Sequence, residues 1–197
     1  MRIIILPGNG CRNVRQSNWY GWLEKRLKDD ACFDTVLLKD MPDPDRARRC
    51  HWLPFIHKEL LLDDDEEARN TIAVGHSSGA EAAMRLCEDT ALAGLVLVAA
   101  CHTDLGEPSE QAAAWYPPSG GDWKWHDICC NTKGNIVLLH SRDDPFIPIS
   151  EPRHVASQLG VELREFDGQS HFFSPSEAIV QAVYDVAKAS GMNQLPN

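Results

Sequence analysis

Thr71-Ile72-Ala73-Val74-Gly75-His76-Ser77-Ser78-Gly79 is the stretch that decides how this chain is read. An apolar run passes directly into G-x-S-x-G, the sequence form of a buried strand that ends in a sharp, strained turn with a helix behind it. Small residues on either side of the serine let strand and helix approach closely, which pushes the hydroxyl out above the sheet edge. Ser77, presented in this way, is a nucleophile candidate. The plainer reading is a serine-rich turn that only caps a helix over residues 80–88. Two features weigh against it: strand, turn and amphipathic helix come in the required order, and an acid and a histidine follow in the order Ser, Asp, His.

Outward from this turn, continuous apolar runs at residues 2–6, 33–38, 71–75, 95–100, 135–140 and 162–166 predict six strands. Runs without alternation belong to strands buried on both faces, hence to a mostly parallel sheet. Helical patterns at 19–28, 45–62, 80–88, 151–159 and 176–189 fall between them, so the expected fold is α/β, three-layered and doubly wound, without internal repeats. A chain of 197 residues suits one domain over residues 1–190, with a disordered tail at 191–197. The acidic run at 63–67 reads as a solvated loop, and residues 103–132, rich in Trp, Pro and Gly, as a long irregular connection of the kind that forms a lid.

Composition narrows the partners. The net charge is -10 and no basic stripe is present, which points away from nucleic acid. No segment is apolar for the ~20 residues that a bilayer crossing needs, so no membrane partner is expected. The N-terminal apolar run meets Pro7 and Gly8 too early for a signal-peptide core and reads as the first strand, which leaves a cytoplasmic location as the expectation. Seven cysteines without C-x-x-C spacing suit a reducing compartment, with Cys32, Cys87 and Cys101 as small core residues. The adjacent Cys129 and Cys130 have no ligand-spaced partners nearby, so no metal is expected.

The acid is expected in Ser141-Arg142-Asp143-Asp144-Pro145, after the fifth strand and on the same sheet edge as the nucleophile turn. Asp144 is favoured, with Asp143 as the turn former. The base is expected at His171, in the loop after the last strand, where an imidazole could reach Ser77 with one nitrogen and Asp144 with the other. His76, His102 and His140 are set aside on position. An oxyanion hole needs backbone N–H donors, assigned to Ser78 and to Asn9 in the turn Pro7-Gly8-Asn9-Gly10. A phosphate cradle at that turn is disfavoured, since neither G-x-G-x-x-G nor a G-K-[ST] ending is present.

Taken together, Leu6-Pro7-Gly8-Asn9-Gly10, Trp19-Tyr20-Gly21-Trp22, Met41-Pro42-Asp43-Pro44, Trp52-Leu53-Pro54-Phe55, Gly75-His76-Ser77-Ser78-Gly79-Ala80, Asp143-Asp144-Pro145-Phe146 and His171-Phe172 resemble the serine hydrolase family of retinoblastoma-binding protein 9. The resemblance runs from about Ile4 to about Lys188. It implies a compact α/β-hydrolase without a large cap domain and places the nucleophile, acid and base at Ser77, Asp144 and His171. It also implies esterase or aminopeptidase-like activity, without cofactor, on small amino-acid derivatives with hydrophobic or aromatic side chains. Trp115, Trp123, Trp125 and Phe172 are then expected as substrate-binding residues, with core packing as the alternative for each of the three tryptophans. The family's L-x-C-x-E motif is absent: the stretch reads Leu60-Leu61-Leu62-Asp63-Asp64, so binding to a retinoblastoma protein is not expected.

The expected chemistry is acyl transfer on Ser77 to and from a small-molecule substrate. A lipid esterase or thioesterase using the same triad, and an interaction module with a vestigial site, are the alternatives.

Overall fold

A computed structural model describes residues 1–61 and 63–192. All six expected strands form: β1 (Arg2–Leu6), β2 (Thr35–Leu38), β3 (Thr71–His76), β4 (Gly94–Val98), β5 (Ile136–Ser141) and β6 (Leu163–Phe166). They make one sheet in the order β2-β1-β3-β4-β5-β6, with every neighbouring pair parallel. β1, β3 and β4 are buried along their whole length, as continuous apolar runs require. The chain order reverses between β1 and β3, so the carboxyl ends of these two strands flank the crevice in which doubly wound sheets bind ligands.

Helices cover both faces. Ile3 and Ile5 of β1 pack with α1 (Tyr20–Asp29) and α8 (Glu177–Ala189), through Leu23, Leu27, Ile179 and Val183. Ile4 and Leu6 belong to the core of the opposite face, with Trp52 of α2 (Arg49–Phe55), Met84 of α4 (Ser78–Leu86), Ile128 of α6 (Trp125–Thr132) and Val155 of α7 (Ser150–Leu159). No helix among the described residues is long and apolar enough to cross a membrane.

Three expectations are corrected. The helix expected over 45–62 begins only at Arg49, because Ala47 has a φ of 44°, and after Pro54 it gives way to a single wide turn at Ile56–Leu60; Leu62 lies outside the described residues. The acidic run is not a loop but the start of α3 (Asp65–Arg69): Asp64 Oδ1 accepts the Glu66 and Glu67 N–H groups at 2.8 and 3.2 Å. Its carboxylates meet the positive end of the helix. The irregular connection contains α5 (Pro108–Ala113) and α6. Of the expected tail, only Gly191 and Met192 lie among the described residues.

That connection is also no loose lid, because α4 grips it. α4 is buried at every position. Near its end, Arg85 pairs with the buried Glu88 at 2.6 Å, and its remaining N–H groups donate to the carbonyls of Trp115, Gly121 and Asp122 at 2.8, 2.7 and 3.1 Å. The guanidinium lies 3.8 Å from the Trp123 ring centre, and Arg49 adds a bond to the Gly120 carbonyl at 2.7 Å. Removing Arg85 would leave the buried Glu88 with the longer Arg49 contact at 3.8 Å and the Lys124 N–H, and three carbonyls without their donor. Arg85→Ala is therefore expected to cost about 3–5 kcal/mol of unfolding free energy. Urea denaturation with an unchanged slope would check this; a loss below about 1 kcal/mol would show that the clasp is not structural.

Glu81, one turn earlier on α4, is enclosed, and its Oε1 accepts the Cys101 N–H at 2.7 Å. Among the described residues it forms no ion pair, and burial raises its carboxyl well above the usual carboxylate range. The folded state then holds a proton more tightly than the unfolded chain, so this contribution is complete below the unfolded value and is lost as pH rises from there through the raised folded value. Glu81→Gln keeps an acceptor for Cys101 and removes the titration. Thermal unfolding is expected to show the variant more stable than the native chain at about pH 8, with the difference vanishing near about pH 4.

Candidate active site

The elbow is built by close backbone contact. A side-chain carbon on Gly75 would lie 2.3 Å from the Gly79 carbonyl oxygen, and one on Gly79 would lie 2.2 Å from the Leu6 carbonyl oxygen, so only glycine admits this approach of β3, α4 and β1. Between them Ser77 takes φ 52° and ψ −126°, outside the regions open to an ordinary residue. Its N–H bonds the Val98 carbonyl at 2.9 Å and its carbonyl accepts the Ala80 N–H at 2.6 Å, which locks the turn. Ser77 is half-buried in the wall of a cavity of about 470 Å³, lined also by Gly8, Asn9, Ser78 and His171.

Asp144 stands behind His171 and is shielded from solvent. Its Oδ2 lies 2.7 Å from His171 Nδ1, while Oδ1 accepts the Phe146 and Ile147 N–H groups at 2.9 and 3.1 Å. Burial opposes its ionisation, but the His171 bond and charge, with the two N–H groups, outweigh burial and hold the carboxyl below its usual range. Asp143 does more than form a turn. Its Oδ1 accepts the Ser141 hydroxyl and the N–H groups of Gly168 and Ser170, the latter two at 2.9 and 3.3 Å, so it fastens the acid loop to the base loop. The base loop needs such fastening, since Ser170 and Phe172 on either side of His171 both have positive φ, 51° and 52°.

Ser78 is the first residue of α4, so its N–H has no partner within the helix, and both Ser78 and Asn9 line the cavity. The positive end of the α4 dipole faces the same space and favours negative charge there.

The four expected aromatic substrate contacts lie elsewhere. Trp115 is fully enclosed, its Nε1 donating to the Ala47 carbonyl at 2.7 Å and its ring packing on Trp52. Trp123 donates to the His102 carbonyl at 2.9 Å and stacks on Trp125, and the two border a separate depression beside His154. Phe172 turns into the core against Phe166. The Arg85 clasp holds the tryptophan segment against the end of α4, which the local sequence does not reveal. In their place Leu105, Phe146 and Phe173 rim the cavity, and they are the large hydrophobic side chains left exposed among the described residues.

Two further residues escaped sequence reasoning. Glu110 of α5 lines the cavity, and burial, with Glu107 and Asp104 nearby, raises its carboxyl. His76 sits against His171, with ring centres 4.9 Å apart. Its sequence signal is its position next to Ser77, which alone does not distinguish a partner of His171 from a core residue.

Comparison with known proteins agrees with this architecture. The serine hydrolase family model matches residues 3–178. Serine hydrolase RBBP9 of Rattus norvegicus is 40% identical over 171 residues, which are 87% of each chain. Among solved structures, the ydeN gene product of B. subtilis superposes with a TM-score of 0.74 at 26% identity, covering 96% of this chain and 97% of that one. A monoacylglycerol lipase of Paleococcus ferrophilus superposes with a TM-score of 0.63 at 16% identity, covering 98% and 95%, and shares the fold. With its six-stranded parallel sheet and, among the described residues, no large cap, this chain is an α/β-hydrolase that belongs to the serine hydrolase family represented by RBBP9.

Proposed function

We propose that the chain hydrolyses small esters or amides of amino acids with apolar or aromatic side chains, by acyl transfer through Ser77. The observation that carries this reading is the 2.7 Å contact of Asp144 with His171, placed behind a cavity that His171 shares with the strained Ser77. His171 Nε2 takes the Ser77 proton as Oγ attacks the substrate carbonyl, and Asp144 holds the Nδ1 proton and stabilises the imidazolium. The Asn9 and Ser78 N–H groups receive the oxyanion. His171 then protonates the leaving group, and water, deprotonated by the same imidazole, releases the acyl group from Ser77.

The cavity supports the choice of substrate. Leu105, Phe146 and Phe173 offer an apolar rim for a side chain, and among the described residues no lysine or arginine lines the cavity. Glu110, 3.4 Å from Asn9 Nδ2 and lining the same space, suits the free ammonium of an aminoacyl substrate. The seven free thiols fit a reducing, cytoplasmic setting for this activity.

A fluorophosphonate probe tests the nucleophile. Labelling of the native chain that disappears in Ser77→Ala is expected, whereas folded native protein that takes no label would overturn the hydrolase reading. For the ammonium site, Glu110→Gln is expected to raise KM about tenfold on an aminoacyl ester with a free amine, the effect of one charge-assisted contact. KM on the N-acetylated ester should not change, and an equal rise on both substrates would remove Glu110 from that role.

A further inference from the structure

Beside the proposed triad lies a chain of hydrogen bonds that acyl transfer through Ser77 does not itself use. His76 Nε2 is 2.8 Å from the His171 carbonyl oxygen, and His76 Nδ1 is 2.6 Å from the Tyr20 hydroxyl. The Tyr20 oxygen in turn lies 2.9 Å from the Gly8 N–H and 3.0 Å from Asn18 Nδ2. We propose that Tyr20 and His76 are positioning residues for the reaction, which together hold the His171 loop in register with the oxyanion turn. The inference rests on the assignment of Ser77 and His171 above.

The direction of the chain is forced. A carbonyl oxygen only accepts, so the His76 proton sits on Nε2. Burial, helped by the adjacent His171, pushes the His76 imidazole down to about 3, so the ring is neutral and Nδ1 must accept. The Tyr20 O–H supplies that bond, and burial keeps the phenol protonated by raising it. The Tyr20 oxygen is then free to accept from Gly8 and Asn18. Each link fixes the next, and reversing one would set donor against donor or acceptor against acceptor. Trp19 and Tyr20 close over the His76 ring with centroid distances of 5.6 and 5.7 Å, so the imidazole has no room to turn.

The two ends of this chain are the parts that must be aligned. At one end Gly8 directly precedes Asn9, a proposed oxyanion donor. At the other, His171 lies between two residues with positive φ, in a backbone that does not stay in place unaided. With Nδ1 bonded to Asp144 and the carbonyl bonded to His76, His171 is held by side chain and by main chain, and Nε2 is the ring nitrogen left for Ser77. An error of about 1 Å in such a group costs on the order of a hundredfold in rate.

The test compares His76→Leu, His76→Gln and Tyr20→Phe with the native chain on one aminoacyl ester, each variant first shown to be folded by its thermal transition. His76→Leu is expected to lower kcat about a hundredfold with KM within about threefold. His76→Gln, whose amide nitrogen falls near the Nε2 position, is expected to restore most of that loss. Tyr20→Phe, which keeps the ring but frees the His76 tautomer, is expected to lower kcat about tenfold. The low-field proton NMR signal of His171 Nδ1–H should weaken in the leucine variant and persist in the glutamine one. A folded His76→Leu with native kcat, or leucine and glutamine variants equally impaired with the signal unchanged, would overturn the proposal. A native chain that shows the signal but takes no fluorophosphonate overturns the hydrolase reading instead, and the catalytic role of the chain with it.

Discussion

The contact between β3 and α4 sets the geometry on which the rest of the molecule depends. Two glycines let the strand, the helix and the end of β1 touch backbone to backbone, with no side chain tolerated between them. The conformation this imposes on Ser77 costs on the order of 1–3 kcal/mol, and such strain persists only where the surroundings over-determine it. Here they do, because β3 is paired on both sides and α4 is buried throughout. The sheet therefore serves as an anvil: its burial free energy holds one serine in a conformation that no local preference would select.

Around that fixed point, carboxylates fasten the loops. Asp144 and Asp143 bind the acid loop and the base loop, Glu88 anchors Arg85, and Glu151 of α7 gathers the backbone that follows β4. Glu151 Oε2 accepts the His102 and Thr103 N–H groups, both at 3.0 Å, and Oε1 takes the Thr103 hydroxyl at 3.0 Å. Thr103 and Leu105 line the cavity, so this carboxylate on a rigid helix fixes the cavity wall. A carboxylate that receives several N–H bonds offsets much of its desolvation, which explains how loops at the sheet edge stay ordered without extensive apolar burial of their own.

The parts of this arrangement visible in the sequence are those encoded within a few residues. G-x-S-x-G after an apolar run, an Asp-Asp-Pro turn after β5 and a histidine after β6 each follow from local pattern and chain order. α3 and α5 leave no such trace, because five or six residues are too short for a periodic signal, and a cap such as Asp64 is the only local cue for the first. The tryptophans escape local pattern for a different reason. Their positions depend on Arg85, thirty residues before Trp115, and no periodicity reports a contact of that kind. His76 and Tyr20 meet across fifty-six positions, and their bond is likewise a property of the fold.

The choice of a neutral histidine beside the base has an electrostatic rationale. In the proposed acyl transfer His171 becomes an imidazolium, which Asp144 must stabilise without a competing cation nearby. The His76 ring centre is 4.9 Å from that of His171. If His76 were also charged, repulsion at an effective dielectric constant of about 20 would be on the order of 3 kcal/mol, enough to cancel much of the support from Asp144. Burial prevents this by pushing the His76 imidazole down to about 3, while the ring still donates one bond and accepts another. A lysine or arginine at the same position would bring a charge, and an aliphatic residue would bring no bond. A buried imidazole supplies the tether without the charge, and the enclosure that makes it neutral is the same packing of Trp19 and Tyr20 that fixes its orientation.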